Sequence, residues 1–228
     1  MSVAIRLVDI GMQFAVSKNH DGGAHRVLEG LNLEIRRGEK VGLMGRNGAG
    51  KSTLLRIIAG IFPPAHGEVW RHPDMTVALL SLGLGFKNEL TGRENAFLAA
   101  MLQGLSRKQA GQRLQDIGQF SELGAYYDEP VKTYSAGMRA RLGFATGLLL
   151  ETDILLLDEI LAVGDRGFRV KAREALQEKI SADRTIVMVH HAERAIQEIC
   201  TRAVWLEQGA VRMDGDVNAV ISAYGSQS

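Results

Sequence analysis

The stretch GRNGAGKST, Gly45 to Thr53, decides how the rest of this chain is interpreted. It fits the pattern G-x-x-x-x-G-K-[ST], with an apolar strand pattern before it and a helical pattern after it. Glycines let successive amide N–H groups turn toward an anion, Lys51 adds a positive charge, and the helix N-terminus favours negative charge. The stretch therefore predicts a site for the phosphates of a nucleotide. A glycine-rich turn with a surface lysine is the alternative.

Composition places the chain among ordinary globular proteins. With 228 residues, 46% of them apolar and 23% charged, it can form one domain, or one domain with an inserted lobe. A net charge of +1, with basic residues scattered among acids, argues against nucleic acid as the main ligand. No cleavable leader and no membrane-spanning run is evident, so we expect a soluble cytosolic chain. The single cysteine, Cys200, lies in a helical pattern and is interpreted as a packing residue.

The order of the patterns predicts an α/β core that is interrupted by helices. Short apolar runs fill the first 45 residues, with a polar loop at 17–26. Helical periodicity dominates from about Gly83 to Tyr134, with Ser106 as a predicted helix cap. Two buried strand patterns follow, and a hairpin around Gly209 closes the core. We therefore expect a helical lobe inserted into an α/β core.

Two acids end the apolar run ILLLDE, at the edge where an α/β sheet presents side chains to its ligand. Beside a phosphate-binding loop, the two acids have different expected roles. Asp158 is placed to hold Mg²⁺ through water next to Ser52, and Glu159 is placed to orient or deprotonate the water that attacks the γ-phosphate. A strand that ends in two solvated acids is the alternative.

The stretch TYSAGMRARLGFATGLLL opens with Ser135 and Gly137 at the start of an apolar helix. A capping serine explains Ser135, but not a glycine in the first helical turn. YSAGM precedes DILLLDE, and this order resembles the signature motif of ATP-binding-cassette (ABC) ATPases, usually written L-S-G-G-Q. The resemblance, which extends from about residue 5 to 215, implies a head-to-tail homodimer with composite ATP sites. Ser135, Ala136 and Gly137 would then contact the γ-phosphate held by the partner.

The resemblance also implies the fold and the remaining site residues. The expected fold class is α/β, a P-loop NTPase core of the ABC-ATPase type with an N-terminal antiparallel β subdomain and an inserted α-helical subdomain. One domain, residues 1–228, would include a helical subdomain at about 83–150. His191 would be the histidine that senses the γ-phosphate, Asp165 the acid of the D-loop, and Lys51 a catalytic cation. The expected cofactors are ATP and Mg²⁺, with Mg²⁺ held by Ser52 and by Asp158 through water. The nucleotide contacts expected in the loop are Gly45, Arg46, Asn47, Gly48, Ala49, Gly50, Lys51, Ser52 and Thr53.

Ser81, Phe14 and the pair His190 and His191 differ from, or only partly match, the pattern of the family. Ser81 stands where the family usually has a glutamine, and serine is too short to replace it directly. Phe14 is the best match for the aromatic residue that stacks on adenine, and an ordinary core phenylalanine is the alternative. His190 and His191 adjoin on a strand and point to opposite faces, which argues against one shared metal ion.

Further motifs, GF followed by LTGREN and DEILAVGD, resemble the ATPase subunits of bacterial polysaccharide exporters. Capsule export of the KpsT type is the closest match, with O-antigen or teichoic acid export as the alternative. The implied partners are integral membrane permease subunits that handle the polysaccharide, together with periplasmic or outer-membrane export components. The implied place is the cytoplasmic face of the plasma membrane, as a peripheral subunit. A soluble ABC ATPase outside transport and a nucleotide-binding regulator without hydrolysis are the rival functions.

Overall fold

The computed structural model describes residues 2–15, 24–80, 85–103, 105–150, 152–158, 164–181, 184–190 and 192–226. The chain divides into two units, one formed by 1–75 with 183–228 and the other by 76–182. In chain order the elements are β1 (Val3–Ala15), β2 (Ala24–Arg36), β3 (Lys40–Met44), α1 (Lys51–Ile58), β4 (His66–Arg71), β5 (Val77–Leu80), α2 (Gly92–Leu102), α3 (Arg107–Ser121), α4 (Ala136–Leu149), β6 (Ile154–Asp158), α5 (Arg166–Ser181), β7 (Thr185–Val189), α6 (Glu193–Ile199), β8 (Arg202–Glu207), β9 (Ala210–Asp216) and α7 (Val217–Gly225).

An antiparallel sheet in the order β2-β1-β4 occupies one part of the first unit. The predicted short strands of the first 45 residues are in fact two strands of thirteen residues each, followed by β3. Register shifts interrupt β1, one of them between Leu7 and Ile10, where Asp9 takes a φ of 51°. These bulges break the alternation of apolar and polar residues, which is why the sequence resembles several short strands. The last three residues of the predicted polar loop at 17–26 belong to β2, which begins at Ala24.

The parallel strands of the same unit position the phosphate-binding loop. β3 lies between β7 and β8, parallel to both, and β9 pairs antiparallel with β8. Residues 41–44 of β3 are buried, as expected for a strand covered on both faces. The predicted hairpin between β8 and β9 is confirmed. Its turn has positive φ at both Gln208 and Gly209, the geometry that matches the twist of two antiparallel strands.

The second unit is mainly helical. Its core combines alanine and larger aliphatic side chains of α2, α3 and α4 with Tyr127 and Val131 of the two 3-10 turns at Gly124–Asp128 and Val131–Thr133. The predicted cap Ser106 is confirmed, since its side chain accepts a hydrogen bond from the Gln109 N–H at the start of α3. Phe120, Phe144 and Phe168 form a second aromatic group that joins α3, α4 and α5. In this unit β5 pairs parallel with β6, the strand that ends at Asp158.

Candidate nucleotide site

The loop Gly45–Thr53 joins the end of β3 to the start of α1, as the motif predicts. Two of its glycines are required by their surroundings. Gly45 has a φ of 140°, and an added Cβ would lie 2.3 Å from the Leu206 carbonyl oxygen; Gly50 has a φ of 97°, and its Cβ would lie 2.6 Å from Leu28 Cδ2. Because Gly50 has no side chain to cap α1, the positive N-terminus of that helix is left facing the loop.

Lys51 bends back across the loop that precedes it. Its Nζ donates to the carbonyl oxygens of Gly45, at 2.6 Å, and of Arg46, at 3.0 Å. The ammonium group therefore lies over the concave side of the loop, where it can meet phosphate oxygens as a point charge. Ser52 and Thr53 are half-buried in the first turn of α1. The predicted loop residues thus lie together around one helix N-terminus, which is an arrangement suited to an anion.

A pocket of about 370 Å³ lies beside the loop, lined by residues 46–49, 205–208 and Tyr224. Its aromatic wall is fixed by two contacts: the Tyr224 ring meets the Trp205 ring edge to face at 5.3 Å, and the Arg212 guanidinium lies 4.6 Å from the Trp205 ring centroid. Arg46, Asn47 and Gly48 are exposed at the rim of this pocket. A ligand in this pocket can therefore contact the exposed residues of the loop.

Phe14, the predicted base-stacking residue, lies at the end of β1 and is 38% exposed, so it is not part of the buried core. Its place follows from strand register. Met12 is opposite Leu28 of β2, and Leu28 is the residue that abuts Gly50 of the loop. Phe14 is two residues further along β1, a distance of about 7 Å for an extended chain. The ring is therefore near the loop, and its contact with adenine stays a prediction.

The predicted metal and catalytic residues are only partly covered by the structure. Asp158 is half-buried and ends β6, whose preceding four residues are buried. Glu159, His191 and Ser81 lie outside the described residues. His190, the neighbour of the predicted γ-phosphate sensor, follows β7, and its Nδ1 accepts a hydrogen bond from the Ala192 N–H at 2.9 Å. The roles of these residues stay predictions.

Oxygen donors suited to Mg²⁺ are present on both predicted ligands. A serine hydroxyl and a carboxylate are hard ligands, and Mg²⁺ commonly binds one or two protein oxygens together with substrate phosphates and water. Within the described parts of the chain, no group of three or more His, Cys, Asp or Glu side chains could hold a metal ion by itself. The serine hydroxyl and the carboxylate are thus oxygen donors of the kind that Mg²⁺ binds together with phosphate.

The signature stretch forms the exposed N-terminus of α4. Ser135 is its cap, with Oγ accepting from the Met138 N–H at 3.2 Å, and Ala136 and Gly137 follow in the first turn. An added Cβ on Gly137 would meet only Ser135 Oγ, at 3.9 Å. Within the described chain, packing therefore does not require the glycine.

Asp165, the expected D-loop acid, caps α5 rather than standing alone. Its Oδ1 accepts from the Phe168 N–H at 3.0 Å, and its Oδ2 lies 3.8 Å from Nη1 of Arg141 on α4. The backbone hydrogen bond and, to a smaller extent, the nearby guanidinium hold the pKa of Asp165 below its usual range. The carboxylate therefore stays charged and links the start of α5 to the helix that begins with the signature stretch.

Comparison with known proteins identifies the architecture. A family model described as ABC transporter matches residues 28–162, more than half of the chain. This chain belongs to the ABC transporter family. It is an ATPase whose hydrolysis of ATP is coupled to transport.

Relatives of this ATPase carry specific names. It is 43% identical to an O-antigen export system ATP-binding protein, RfbB, of Klebsiella pneumoniae over 89% of this chain and 82% of that protein. It is 40% identical to the ABC transporter protein AbcA of Aeromonas salmonicida, over 92% of this chain and 68% of that protein. A teichoic acids export ATP-binding protein, TagH, of Enterococcus faecalis is also 40% identical, over 86% of this chain and 44% of that longer protein.

Solved structures confirm the predicted fold class. The ATP-binding subunit of an ABC transporter matches this ATPase with a TM-score of 0.75 at 25% identity, over 97% of this chain and 93% of that chain. The dimeric post-hydrolysis state of the ATP-binding cassette MJ0796, bound to ADP and Pi, matches with a TM-score of 0.73 at 22% identity, over 93% and 98%. Among the residues that the structure describes, no helix of this ATPase is long and apolar enough to cross a bilayer.

Sequence patterns missed two residues that hold neighbouring side chains or segments in place, one in each unit of the chain. Phe62 contacts Phe14, and Asn95 organises the segment before α2. A local signal was present for the second, since Thr91 and Glu94 form a capping box that marks the start of α2. For Phe62 no local signal existed, because its contact is with a distant strand.

Proposed function

We propose that this ATPase powers the export of a bacterial surface polysaccharide through a membrane permease. The observation that carries the proposal is its 43% identity, over 89% of the chain, to a protein named for O-antigen export. Relatives named for teichoic acid export support the same class. These names favour O-antigen or teichoic acid export over capsule export, which the motifs alone had favoured. The cytoplasmic face of the plasma membrane is the place that this role requires.

The loop residues would hold the triphosphate, with amides and Lys51 directed at its oxygens. Ser52 and Asp158 would hold Mg²⁺, which supplies charge neutralisation at the β- and γ-phosphates. Glu159 would orient or deprotonate the attacking water, and His191 would hydrogen-bond the γ-phosphate.

A homodimer with composite sites is the second part of the proposal. Ser135, Ala136 and Gly137 present an exposed helix N-terminus, which attracts phosphate. Among the described residues, a Cβ on Gly137 would have open space around it, so a close approach by the ATP of a partner gives this glycine a reason that packing within the described chain does not. Mixed dimers of a Lys51→Ala chain and a Gly137→Asp chain test this arrangement.

Contact with a permease is assigned to the segment between Phe86 and Leu90. Phe86 and Leu90 are each only partly buried, so both can supply apolar surface to a partner, and Phe86 also packs against the core of the helical unit. A loop packed within that unit is the alternative. A helix of the permease laid into a groove is the expected mode of contact. The permease would handle the polysaccharide, and periplasmic or outer-membrane components would complete the route.

A deletion strain of the native host tests the function. Wild-type protein should restore the surface polysaccharide, whereas Glu159→Gln should bind ATP, hydrolyse it about 10²–10⁴-fold more slowly and fail to restore export. Gly111→Ala, on an exposed face of α3, serves as the folded control. Lipopolysaccharide gels, phosphate analysis of the wall polymer and capsule staining identify which polymer is lost. A deletion strain with all three polymers intact at its surface would refute the proposal.

A further inference from the structure

Two phenylalanine rings meet at the end of β1. The ring centroids of Phe14 and Phe62 are 6.0 Å apart, with an angle of 74° between the ring planes, which is an edge-to-face contact. Phe14 is 38% exposed and Phe62 is half-buried, so one ring is open to a ligand and the other supports it. Pairs of this geometry are favourable beyond the apolar area that they bury.

Phe62 is in turn fixed to α1, the helix whose N-terminus forms part of the phosphate site. The N–H groups of Ile61 and Phe62 both donate to the Arg56 carbonyl oxygen, at 2.9 and 3.3 Å. The Arg56 guanidinium carbon lies 5.8 Å from the centroid of the Phe62 ring, a cation–π contact. Arg56 Nε is buried without a hydrogen-bond partner in the described part of the chain.

A base-stacking ring has to be held still. Phe14 stands near the end of a strand, and an exposed phenylalanine there would exchange between staggered rotamers. Contact with Phe62 restricts that exchange, and Arg56 ties the pair to the helix that follows the phosphate-binding loop. Phe14 is thereby linked, through Phe62, to the helix that follows the phosphate-binding loop.

We propose that Phe62 is a positioning residue for the nucleobase: it holds Phe14 in the orientation that stacks on the purine of ATP. The inference rests on the proposed ATP site and on Phe14 as the stacking ring. Phe62 acts through Phe14 alone and touches neither the base nor the phosphates. Its removal therefore weakens binding of the base while binding of the triphosphate stays unchanged.

Calorimetric titration with MgATP and with inorganic tripolyphosphate, which has no base, tests this. Phe14→Ala should weaken ATP binding by about fivefold to 150-fold, since stacking of one base is worth about 1–3 kcal/mol. Phe62→Ala should weaken it by about twofold to tenfold, the fold-change that corresponds to one edge-to-face pair. Neither change should alter the affinity for tripolyphosphate. Phe62→Tyr keeps the ring and should bind ATP like wild type.

The double variant gives the sharpest result. If Phe62 acts through Phe14, Phe14→Ala with Phe62→Ala should bind ATP no more weakly than Phe14→Ala alone. Ile61→Ala, at the exposed neighbouring position, is the matched control and should leave both affinities unchanged. Phe62→Leu keeps apolar volume without a ring, and replaces Phe62→Ala if that variant does not fold.

Other results of these titrations would contradict the positioning role, the stacking ring or the proposed function. Equal losses of ATP and tripolyphosphate affinity in Phe62→Ala, or a double variant weaker than Phe14→Ala, would overturn the positioning role. Normal ATP affinity in Phe14→Ala would show that Phe14 does not stack on the base, and the inference about Phe62 would then be wrong. The proposed phosphate site would still be supported if wild-type protein binds tripolyphosphate and Lys51→Ala does not. Wild-type protein that binds neither ligand would instead contradict the proposed function.

Discussion

At the scale of single residues, a substitution at Gly137 should affect the free energy of unfolding and the rate of ATP hydrolysis differently. Glycine costs about 0.5–1 kcal/mol relative to alanine inside a helix, and a Cβ at this position would meet no close neighbour. Gly137→Ala should therefore leave the free energy of unfolding unchanged or raise it by up to about 1 kcal/mol, yet lower ATP hydrolysis if a second subunit approaches here. Urea unfolding and steady-state hydrolysis measure the two effects.

Gly111→Ala on α3 is the matched control, since a Cβ there also meets nothing within 4 Å. It should raise stability and leave hydrolysis intact. If Gly137→Ala hydrolyses ATP at the wild-type rate, the proposal that a partner's ATP approaches this glycine closely is wrong.

Cys200 shows the effect of burial on one titrating group. The thiol is 4% exposed, and burial raises its pKa to about 12 from an ordinary value of 9.0. The unfolded chain therefore loses this proton at lower pH than the folded chain, so the thiol's contribution to stability is full below about pH 9 and is lost as the pH rises toward 12. Between pH 8 and pH 10 the stability difference between wild type and Cys200→Ala should shrink by about 1 kcal/mol. Urea unfolding at the two pH values measures it, and a constant difference would contradict the burial of the thiol.

At the scale of elements, Asn95 connects α2 to the segment that precedes it. This side chain is 3% exposed; its Oδ1 accepts from the Lys87 N–H at 2.7 Å, and its Nδ2 donates to the carbonyls of Lys87, Leu90 and Thr91 at 2.9–3.1 Å. One side chain thus fixes the course of the segment to which permease contact is assigned.

Asn95→Ala should lower the free energy of unfolding by about 1–3 kcal/mol, because it leaves part-buried backbone groups without their partner. Asn88→Ala removes an exposed bond to Arg139 in the same segment and should cost less than about 0.5 kcal/mol. Chemical denaturation compares the two. Equal and small losses of the free energy of unfolding in the two variants would mean that water replaces the hydrogen bonds of the Asn95 amide.

At the scale of the whole molecule, the proposed composite sites predict complementation. Lys51→Ala removes the cation of the phosphate-binding loop, and Gly137→Asp puts a negative charge where a partner's γ-phosphate would lie. A dimer with one chain of each kind has both defects in one site and none in the other. Differently tagged chains, purified through both tags, should hydrolyse ATP faster than either homodimer. Mixed dimers as inactive as both parents would argue against composite sites that turn over independently.

Local chemistry made the phosphate-binding loop, the cap at Ser106 and the hairpin at Gly209 predictable from sequence. Each depends on backbone geometry and hydrogen bonds between residues a few positions apart, so a short pattern contains the whole cause. The bounds of β1 were not predictable in this way. Its bulges shift the register against β2, and their positions depend on residues of the paired strand.

By itself, then, the sequence determined that this protein has a nucleotide site at a helix N-terminus and an α/β core with inserted helices. Only the tertiary structure decided that Phe14 lies exposed against Phe62, that Asn95 holds the segment from Lys87 to Thr91, and that no described residue packs closely at Gly137. The physical reason is the range of the interactions. Caps and turns are set by adjacent residues, whereas side-chain contacts and open space depend on packing between segments far apart in the chain.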